Sequence, residues 1–362
     1  MPTSDCPAPM YPASLRNVDG KLDVKISVRA DGTVADVAMV TAHPDQAFAT
    51  AASDALRKWH FTPSEKADST RTYSTTVFLT PPQGMPLQFG VDSTIRKRIE
   101  EHDGIVVVRG GQEWIYSALL FGDVDVTADL RASESTSALR VRAWPGSRNL
   151  QPVGYEIALG AQNDRERSPG VVTGEQLRPV TTTYDAAAAA AFRSSSDWQP
   201  IEVECIDTAM RVSLGGRLVT EAQLPDKSGG RIALGVSKGV LEVRKLHVKR
   251  LDRYRASQPL QALFPDVVTL DAPGVTRPTP KYTVRPNYTA GAMGRKVQGV
   301  VALEGIIEAD GSIHRLRVVR SLDDELDIMA VEAIRKWRFA PAVREGAPIA
   351  SLVDFELSFT LK

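Results

Sequence analysis

Two stretches near opposite ends of the chain carry the same pattern. Residues 30–64 read ADGTVADVAMVTAHPDQAFATAASDALRKWHFTPS, and residues 308–342 read EADGSIHRLRVVRSLDDELDIMAVEAIRKWRFAPA. Matching positions differ by 278 or 279, so a large unrelated block lies between them. A chain of this kind must build one small unit twice and house something else in the middle. Its 362 residues favour two or three domains over one.

The local physics of the first copy is legible. Leu22, Val24, Ile26 and Val28 alternate with polar residues, the period-two signature of a strand with one buried face. Asp31-Gly32 is a hairpin-turn pair, because glycine reaches positive φ freely. A returning strand is expected from Val34 to Val40. Phe48, Ala52, Ala55, Leu56 and Trp59 then fall on one face of a helix that Pro63 is expected to stop. Arg71 to Leu79 resumes a strand. The second copy repeats each step, with the turn at Asp310-Gly311, the helical face at Leu326, Ala330, Ala333, Ile334 and Trp337, and the stop at Pro341. Its last strand alternates Val353, Phe355, Leu357, Phe359 and Leu361 with polar residues. Each copy is predicted to be a helix on a three-stranded antiparallel sheet, with its tryptophan anchoring the core.

The motifs of the second copy are Arg-Pro-Asn-Tyr at 285–288, Gly299, Ala-Asp-Gly at 309–311 and Arg-Lys-Trp-Arg-Phe-Ala-Pro at 335–341. The first copy has Tyr11-Pro12, Gly20, Ala-Asp-Gly at 30–32 and Arg-Lys-Trp-His-Phe-Thr-Pro at 57–63. In this order they resemble the TonB C-terminal domain over about 80 residues at each end. The first copy departs from that pattern at Ala42-His43-Pro44 and lacks a full Arg-Pro-x-Tyr-Pro entry. The resemblance implies binding in the periplasm of a Gram-negative bacterium, in which a peptide of an outer-membrane transporter adds as a strand to the domain's sheet. The physical basis is the unpaired N–H and C=O groups of an edge strand. The expected positions are Val353, Asp354, Phe355, Glu356, Leu357, Ser358, Phe359 and Thr360, with Thr72 to Leu79 as the weaker counterpart. Two alternatives stay open: these strands merely complete a self-sufficient sheet, or they pair between two copies of the chain in a homodimer.

The middle block reads differently. Prolines at 81, 82 and 86 close the first copy, and prolines 259, 265, 273, 278, 280 and 286 mark a semi-rigid linker before the second. Between them, short strand-like runs dominate: 123–130, 139–143, 155–159, 201–206, 210–214, 232–236 and 241–249. Only 93–101 and 186–191 read as helix. Many short strands point to a β-sandwich. Tyr155-Glu156, Trp198, Gly215-Gly216-Arg217, Gly230-Arg231-Ile232 and Val243-Arg244-Lys245-Leu246 resemble a concanavalin-like jelly roll, most closely the 3-keto-disaccharide hydrolase family. That family's Asn-Ser-Gly stretch would fall near Thr136-Ser137-Ala138 and is absent.

Several residues invite a chemical reading. Gly235-Val236-Ser237-Lys238-Gly239 fits GxSxG, but a nucleophile elbow needs a helix after the serine, and a strand-like run follows; a hairpin turn is predicted instead. Asp123, Asp125 and Asp129 lack the spacing of a calcium loop and are read as a solvated strand face. Histidines 43, 60, 102, 247 and 314 form no ligand pair, so no metal site is read. Asp323, Asp324 and Glu325 suit the start of the second helix. Trp114, Trp144 and Trp198 have the chemistry to stack on a sugar, and burial in the sandwich is the simpler expectation. Cys6 and Cys205 lie too far apart for a CxxC site and are too few for a disulfide framework.

The sequence therefore predicts an α+β and all-β multidomain protein. TonB-C-terminal-like domains at 1–82 and 281–362 flank a sandwich at 87–253, with a linker at 254–280. The expected role is non-catalytic peptide binding, with no cofactor. Carbohydrate binding or glycoside cleavage in the middle block, with a saccharide as ligand, is the alternative. Lysine plus arginine and aspartate plus glutamate both total 44, which gives no electrostatic reason to bind nucleic acid. No apolar run is long enough to span a bilayer, and residues 1–12 show no signal-peptide core. An export signal or anchor is expected to have been removed or never to have existed.

Overall fold

Alternation along the first strand sets the first sheet. In β1 (Gly20–Val28), Leu22, Val24, Ile26 and Val28 are each at most 1% exposed. They pack against Phe48, Ala52, Leu56, Trp59 and Phe61. β1 pairs antiparallel with β2 (Val34–Met39) and with β3 (Arg71–Leu79), giving the order β2-β1-β3. The helix Gln46–Leu56 covers the buried face. Its first turn is capped by Asp45, which accepts from the Ala47 N–H at 2.9 Å. Fully burying a residue such as Phe48 contributes roughly 1.5–3 kcal/mol.

These coordinates are a computed structural model. It describes all residues except 1, 4–5, 16–17, 42–44, 65–69, 91–98, 112–113, 145–152, 161–167, 175–179, 194–196, 226–228, 252–258 and 362, and the side chains of 132–134, 144, 153, 181–182, 193 and 314. The departure at Ala42-His43-Pro44 lies outside the described residues. The chain forms two compact units, Met1–Pro82 with Asp252–Lys362, and Gln83–Leu251. Among the described residues no helix is long and apolar enough to cross a membrane.

The second unit is one antiparallel sheet curled on itself into a jelly-roll sandwich. Its opening strands are β4 (Met85–Pro86), β5 (Ile99–His102), β6 (Ile105–Arg109) and β7 (Ile115–Tyr116). β8 (Val124–Trp144), β9 (Val153–Ala158), β10 (Val172–Thr173) and β11 (Thr181–Tyr184) follow. β12 (Gln199–Ile206), β13 (Ala209–Leu214), β14 (Arg217–Gln223) and β15 (Arg231–Arg250) complete it. The frame is the ladder between β8 and β15, which runs from Val124↔Arg250 to Ala143↔Arg231. β8 takes β12 and β9 on its other edge, and β15 takes β7, β6 and β4 on its own. Apolar side chains from both halves of the ladder meet in one core with Val203, Val212, Leu234 and Leu241.

Two expectations for this unit are corrected. The runs 123–130 and 139–143 are one bent strand, and so are 232–236 and 241–249. What reads as a turn at Gly235–Gly239 is a pair of register shifts inside β15, with Gly239 at φ 78°. A bulge absorbs an extra residue and bends the strand without reversing it. The expected helix at 93–101 lies partly outside the described residues, and Ile99–Glu101 are strand, paired with Val108–Val106 of β6. The alanine run does form a helix, Ala186–Arg193. Asp185 accepts from the Ala187 and Ala188 N–H groups at 2.9 and 3.0 Å.

The second copy shares its unit with the first and uses the same devices. The residues read as a linker are structured where described. They carry a helical turn at Leu260–Leu263, then β16 (Val268–Thr269), β17 (Val275–Thr276) and β18 (Thr279–Tyr282). Leu260 is 4% exposed and packs on Ile306 and Leu352, an apolar contact that proline content does not forecast. β19 (Gly299–Ile307) and β20 (Ile313–Arg320) make the hairpin, and the helix Asp324–Lys336 follows. Then come β21 (Arg338–Ala340), β22 (Ala342–Arg344), β23 (Ala347–Ile349) and β24 (Ser351–Phe359). The main sheet has four strands where three were expected, in the order β16-β24-β19-β20.

Both helices end before their tryptophans, at Leu56 and Lys336, several residues short of the prolines expected to stop them. Each tryptophan instead anchors a returning extended segment. Trp59 Nε1 donates to Pro7 O at 2.9 Å, and Trp337 Nε1 donates to Val284 O at 2.8 Å. Two residues later the chain docks on the turn glycine: Phe61 N donates to Gly32 O at 2.8 Å and Phe339 N to Gly311 O at 2.9 Å.

Candidate functional site

The last strand of the second copy pairs with the first, β24 with β19, from Gly299↔Phe359 to Ile307↔Ser351. This pairing puts β24 at the sheet border. Its outer edge meets β16 only at Val268↔Ser351 and Thr269↔Leu352, in parallel. Among the described residues no strand pairs with that edge from Val353 to Phe359, and Thr360 follows the strand. Phe355, Leu357 and Phe359 point into the core, where Phe355 packs on Trp337 and Phe339. Asp354, Glu356 and Ser358 point the other way and are exposed.

The corresponding border of the first copy is different. Thr72 and Ser74 of β3 are exposed, but Thr75 and Thr76 are buried against β20. Thr75 Oγ1 donates to Val319 O at 3.3 Å, and the Ser321 N–H donates to Thr76 Oγ1 at 3.0 Å. The weaker candidate, Thr72 to Leu79, is thus half closed by the second copy. Between the two copies lies a cleft of about 340 Å³. Tyr73, Thr72 and Phe61 line it on one side, and Arg317, Glu304 and Asp354 on the other.

Arg317, Glu304 and Asp354 form one cross-strand row. Glu304 Oε2 accepts from Arg317 Nε at 2.8 Å and from the Leu260 N–H at 2.8 Å. Asp354, at the end of the row, makes no ion pair among the described residues; partial burial of its carboxyl and the adjacent Glu304 push it above the usual range, against the pull of Arg317. Glu356 pairs with Arg320 at 3.0 Å across an exposed surface. No periodicity marks Glu304 and Arg317 as partners; the one available signal is a lone glutamate inside an apolar run.

In the sandwich the candidates separate. Ser237 is exposed, and its only hydrogen bond among the described residues goes to Thr136 O at 3.4 Å, so the GxSxG run holds no assembled nucleophile. Asp123 is not on a solvated face. It is buried, accepting from the Asp207 N–H at 3.0 Å and facing Arg142 at 3.5 Å. Burial alone would raise the Asp129 carboxyl, but Lys245 and Arg244, at 3.1 and 3.0 Å, hold it below its usual range. Trp198 and Trp114 are half-buried and not core residues. The guanidinium carbons of Arg131 and Arg244 lie 4.8 and 4.4 Å from the Trp198 ring, and that of Arg140 lies 3.8 Å from the Trp114 ring. The side chains of Trp144 and His314, and all of His43, lie outside the described residues. His60 and His102 are exposed, and His247 Nδ1 is 2.8 Å from Lys245 O. Among the described residues no three His, Cys, Asp or Glu side chains are grouped to hold a metal. Cys6 and Cys205 are buried, one in each unit. Asp323 caps its helix, accepting from Glu325 N at 3.0 Å, and pairs with Arg295 at 2.7 Å.

Asp125 differs from its neighbours. Burial, with Glu202 and Glu204 beside it, pushes its carboxyl to about 6. Its Oδ1 has no hydrogen-bond partner among the described residues. The folded pKa lies above the unfolded one, so the folded state binds more protons between the two values. Stability then falls as pH rises from about 4 to about 6 and levels off above that. Asp125→Asn is expected to stabilise the chain at neutral pH by about 1 kcal/mol, discounted for solvent screening, and to have a smaller effect near pH 4. Thermal unfolding of parent and variant at both pH values checks this. An equal gain at both would contradict the assignment.

Comparison with known proteins adds to this geometry. Residues 7–78 and 284–361 match the family model for the Gram-negative bacterial TonB protein C-terminal. Residues 54–249 match that of the 3-keto-alpha-glucoside-1,2-lyase-like domain, overlapping the first TonB match. Protein TonB of Vibrio cholerae is 32% identical over 80 residues, covering 22% of this chain and 33% of that protein. Protein tonB2 of Pseudomonas aeruginosa is 37% identical over 78 residues, covering 20% and 29%. The chain spans about a third of the length of these curated relatives. A carbohydrate binding module from Bacillus subtilis is 17% identical, covering 42% of this chain and 90% of that structure, with a TM-score of 0.30.

Proposed function

The chain belongs to the 3-keto-alpha-glucoside-1,2-lyase-like domain family and carries two TonB C-terminal segments, and from that premise we propose that it is a periplasmic protein that binds an extended peptide as an added strand on β24. The partner in this reading is a segment of an outer-membrane transporter. The observation that carries it is the outer edge of β24 from Val353 to Phe359, against which no strand lies among the described residues. Such an edge offers a row of backbone donors and acceptors that an extended peptide satisfies without any side-chain rearrangement. The border of β3 supports the same role less well, because Thr75 and Thr76 already meet β20. Affinity then comes from the main chain, and specificity from side chains on alternate faces of the added strand. The test is a titration of the isotope-labelled full chain with peptides from transporter N-terminal segments. Backbone amide shifts are expected to concentrate in 353–360, with residues 72–74 of β3 little changed. Binding that leaves the 353–360 amides unmoved would overturn the assignment.

A further inference from the structure

We infer that the border of β24 selects a strand in which basic residues alternate with apolar ones, its basic side chains facing Asp354 and Glu356 at the mouth of the cleft. The inference rests on the strand-addition reading and adds the chemistry of the partner. Among the described residues that line the cleft on this side, the buried Glu304 with Asp354 and Glu356 supply three acids against two bases, Arg320 and the buried Arg317. One negative charge is left over, and the arrangement places it at the border. Arg317 is engaged by Glu304 at 2.8 Å, so Asp354 feels the Arg317 charge only from a distance and ends the row without an ion pair of its own among the described residues. Among the described residues Glu356 is held by Arg320, in a pair whose side chains are 46% and 67% exposed, and such a pair exchanges readily.

An added strand continues each row. Residues directly opposite lie close enough for opposite charges to attract and like charges to repel. The positions opposite Asp354 and Glu356 are two apart on the incoming strand, so both face the cleft. The residue between them lies opposite Phe355, and the one beyond Glu356 lies opposite Leu357, both on the apolar side of the sheet. Partial burial of the Asp354 carboxyl, with Glu304 beside it, means that a lysine or arginine there also relieves an unfavourable carboxylate.

The same charges argue against a second copy of this chain as occupant. An isologous antiparallel pairing centred on Phe355 would set Asp354 opposite the other copy's Glu356 twice over. Like charges in register are a common way for an open edge to resist self-pairing. A peptide of opposite charge meets no such barrier.

The experiment pans a randomised short-peptide library against the full chain, its Asp354→Asn variant and its Glu356→Gln variant. Asp354 and Glu356 are exposed, so both variants are expected to fold, and their thermal midpoints check this. Selected peptides that shift the β24 amides should be enriched in lysine or arginine at alternate positions. A selected lysine peptide should bind about fivefold tighter than its alanine counterpart, and each variant should flatten the preference at one of the two positions. Peptides that bind β24 with no basic preference, or with a preference both variants retain, overturn the inference and leave strand addition standing. If no peptide in the library moves the β24 amides, both readings fail. Concentration-dependent mass with β24 protected would assign the edge to a second copy instead.

Discussion

Gly311→Ala is expected to lower the stability of the second copy by about 3 kcal/mol, one of the largest losses any single turn substitution in this chain should cause. Two effects add. Gly311 sits at φ 81°, where an L side chain costs roughly 1–2 kcal/mol. A Cβ there would also lie 1.9 Å from Phe339 O, a backbone atom that cannot move without breaking the Phe339 N–H bond to Gly311 O. That bond fixes Phe339 beside Trp337 and Phe355, so the strain reaches the core under β24. Gly346 is the control. Its φ is also 81°, but an added Cβ meets nothing within 4 Å, so Gly346→Ala should cost only the conformational part. Chemical denaturation of the two variants side by side measures the difference. Equal losses would mean that the contact with Phe339 O contributes nothing. Gly32, at φ 89° with a Cβ position 2.0 Å from Phe61 O, should behave like Gly311.

That contact also marks how far the sequence carries the fold. Asp-Gly in both copies announces a turn, because the turn needs only local backbone freedom. The same glycine's second duty, admitting the carbonyl of a residue almost thirty positions later, has no local signature. For the same reason the tryptophans mislead: Trp59 and Trp337 keep the helical spacing of the residues before them, yet the chain leaves the helix first so that the following phenylalanine can reach the turn. In the sandwich, serine- and glycine-rich runs look like reversals, but a long two-stranded ladder absorbs them as bulges, since both neighbours of the bulge still pair with one partner strand. The border position of β24 could be anticipated from its final place in the copy. Its partial capping by β16 could not, because Val268 and Thr269 sit in a stretch whose prolines dominate any local reading. The cleft depends on two copies packing together, and neither copy alone encodes it.

Arg317→Ala is the second substitution expected to act strongly, costing about 3–5 kcal/mol. The side chains of Arg317 and Glu304 are 5% and 6% exposed, and their contact is 2.8 Å long. Removing the guanidinium leaves Glu304 buried with a second carboxylate, Asp354, directly across from it on β24. Glu304→Gln should be milder. An amide oxygen still accepts from the Leu260 N–H, and Asp354 remains as a counter-ion for Arg317. Replacing both partners at once, as Glu304→Leu with Arg317→Met, removes two buried charges together and leaves the Leu260 N–H without its acceptor, a cost of about 1–3 kcal/mol. The double variant is therefore expected to be more stable than Arg317→Ala alone. Denaturant unfolding of the four proteins decides the point. A loss below about 1 kcal/mol for Arg317→Ala would mean that water or a rotated Arg320 compensates Glu304, and that the pair is not the buried anchor of this sheet face. If the ordering holds, the charge balance beside β24 is set by packing, and Asp354 is the acid in its row that Glu304 keeps from pairing closely with Arg317.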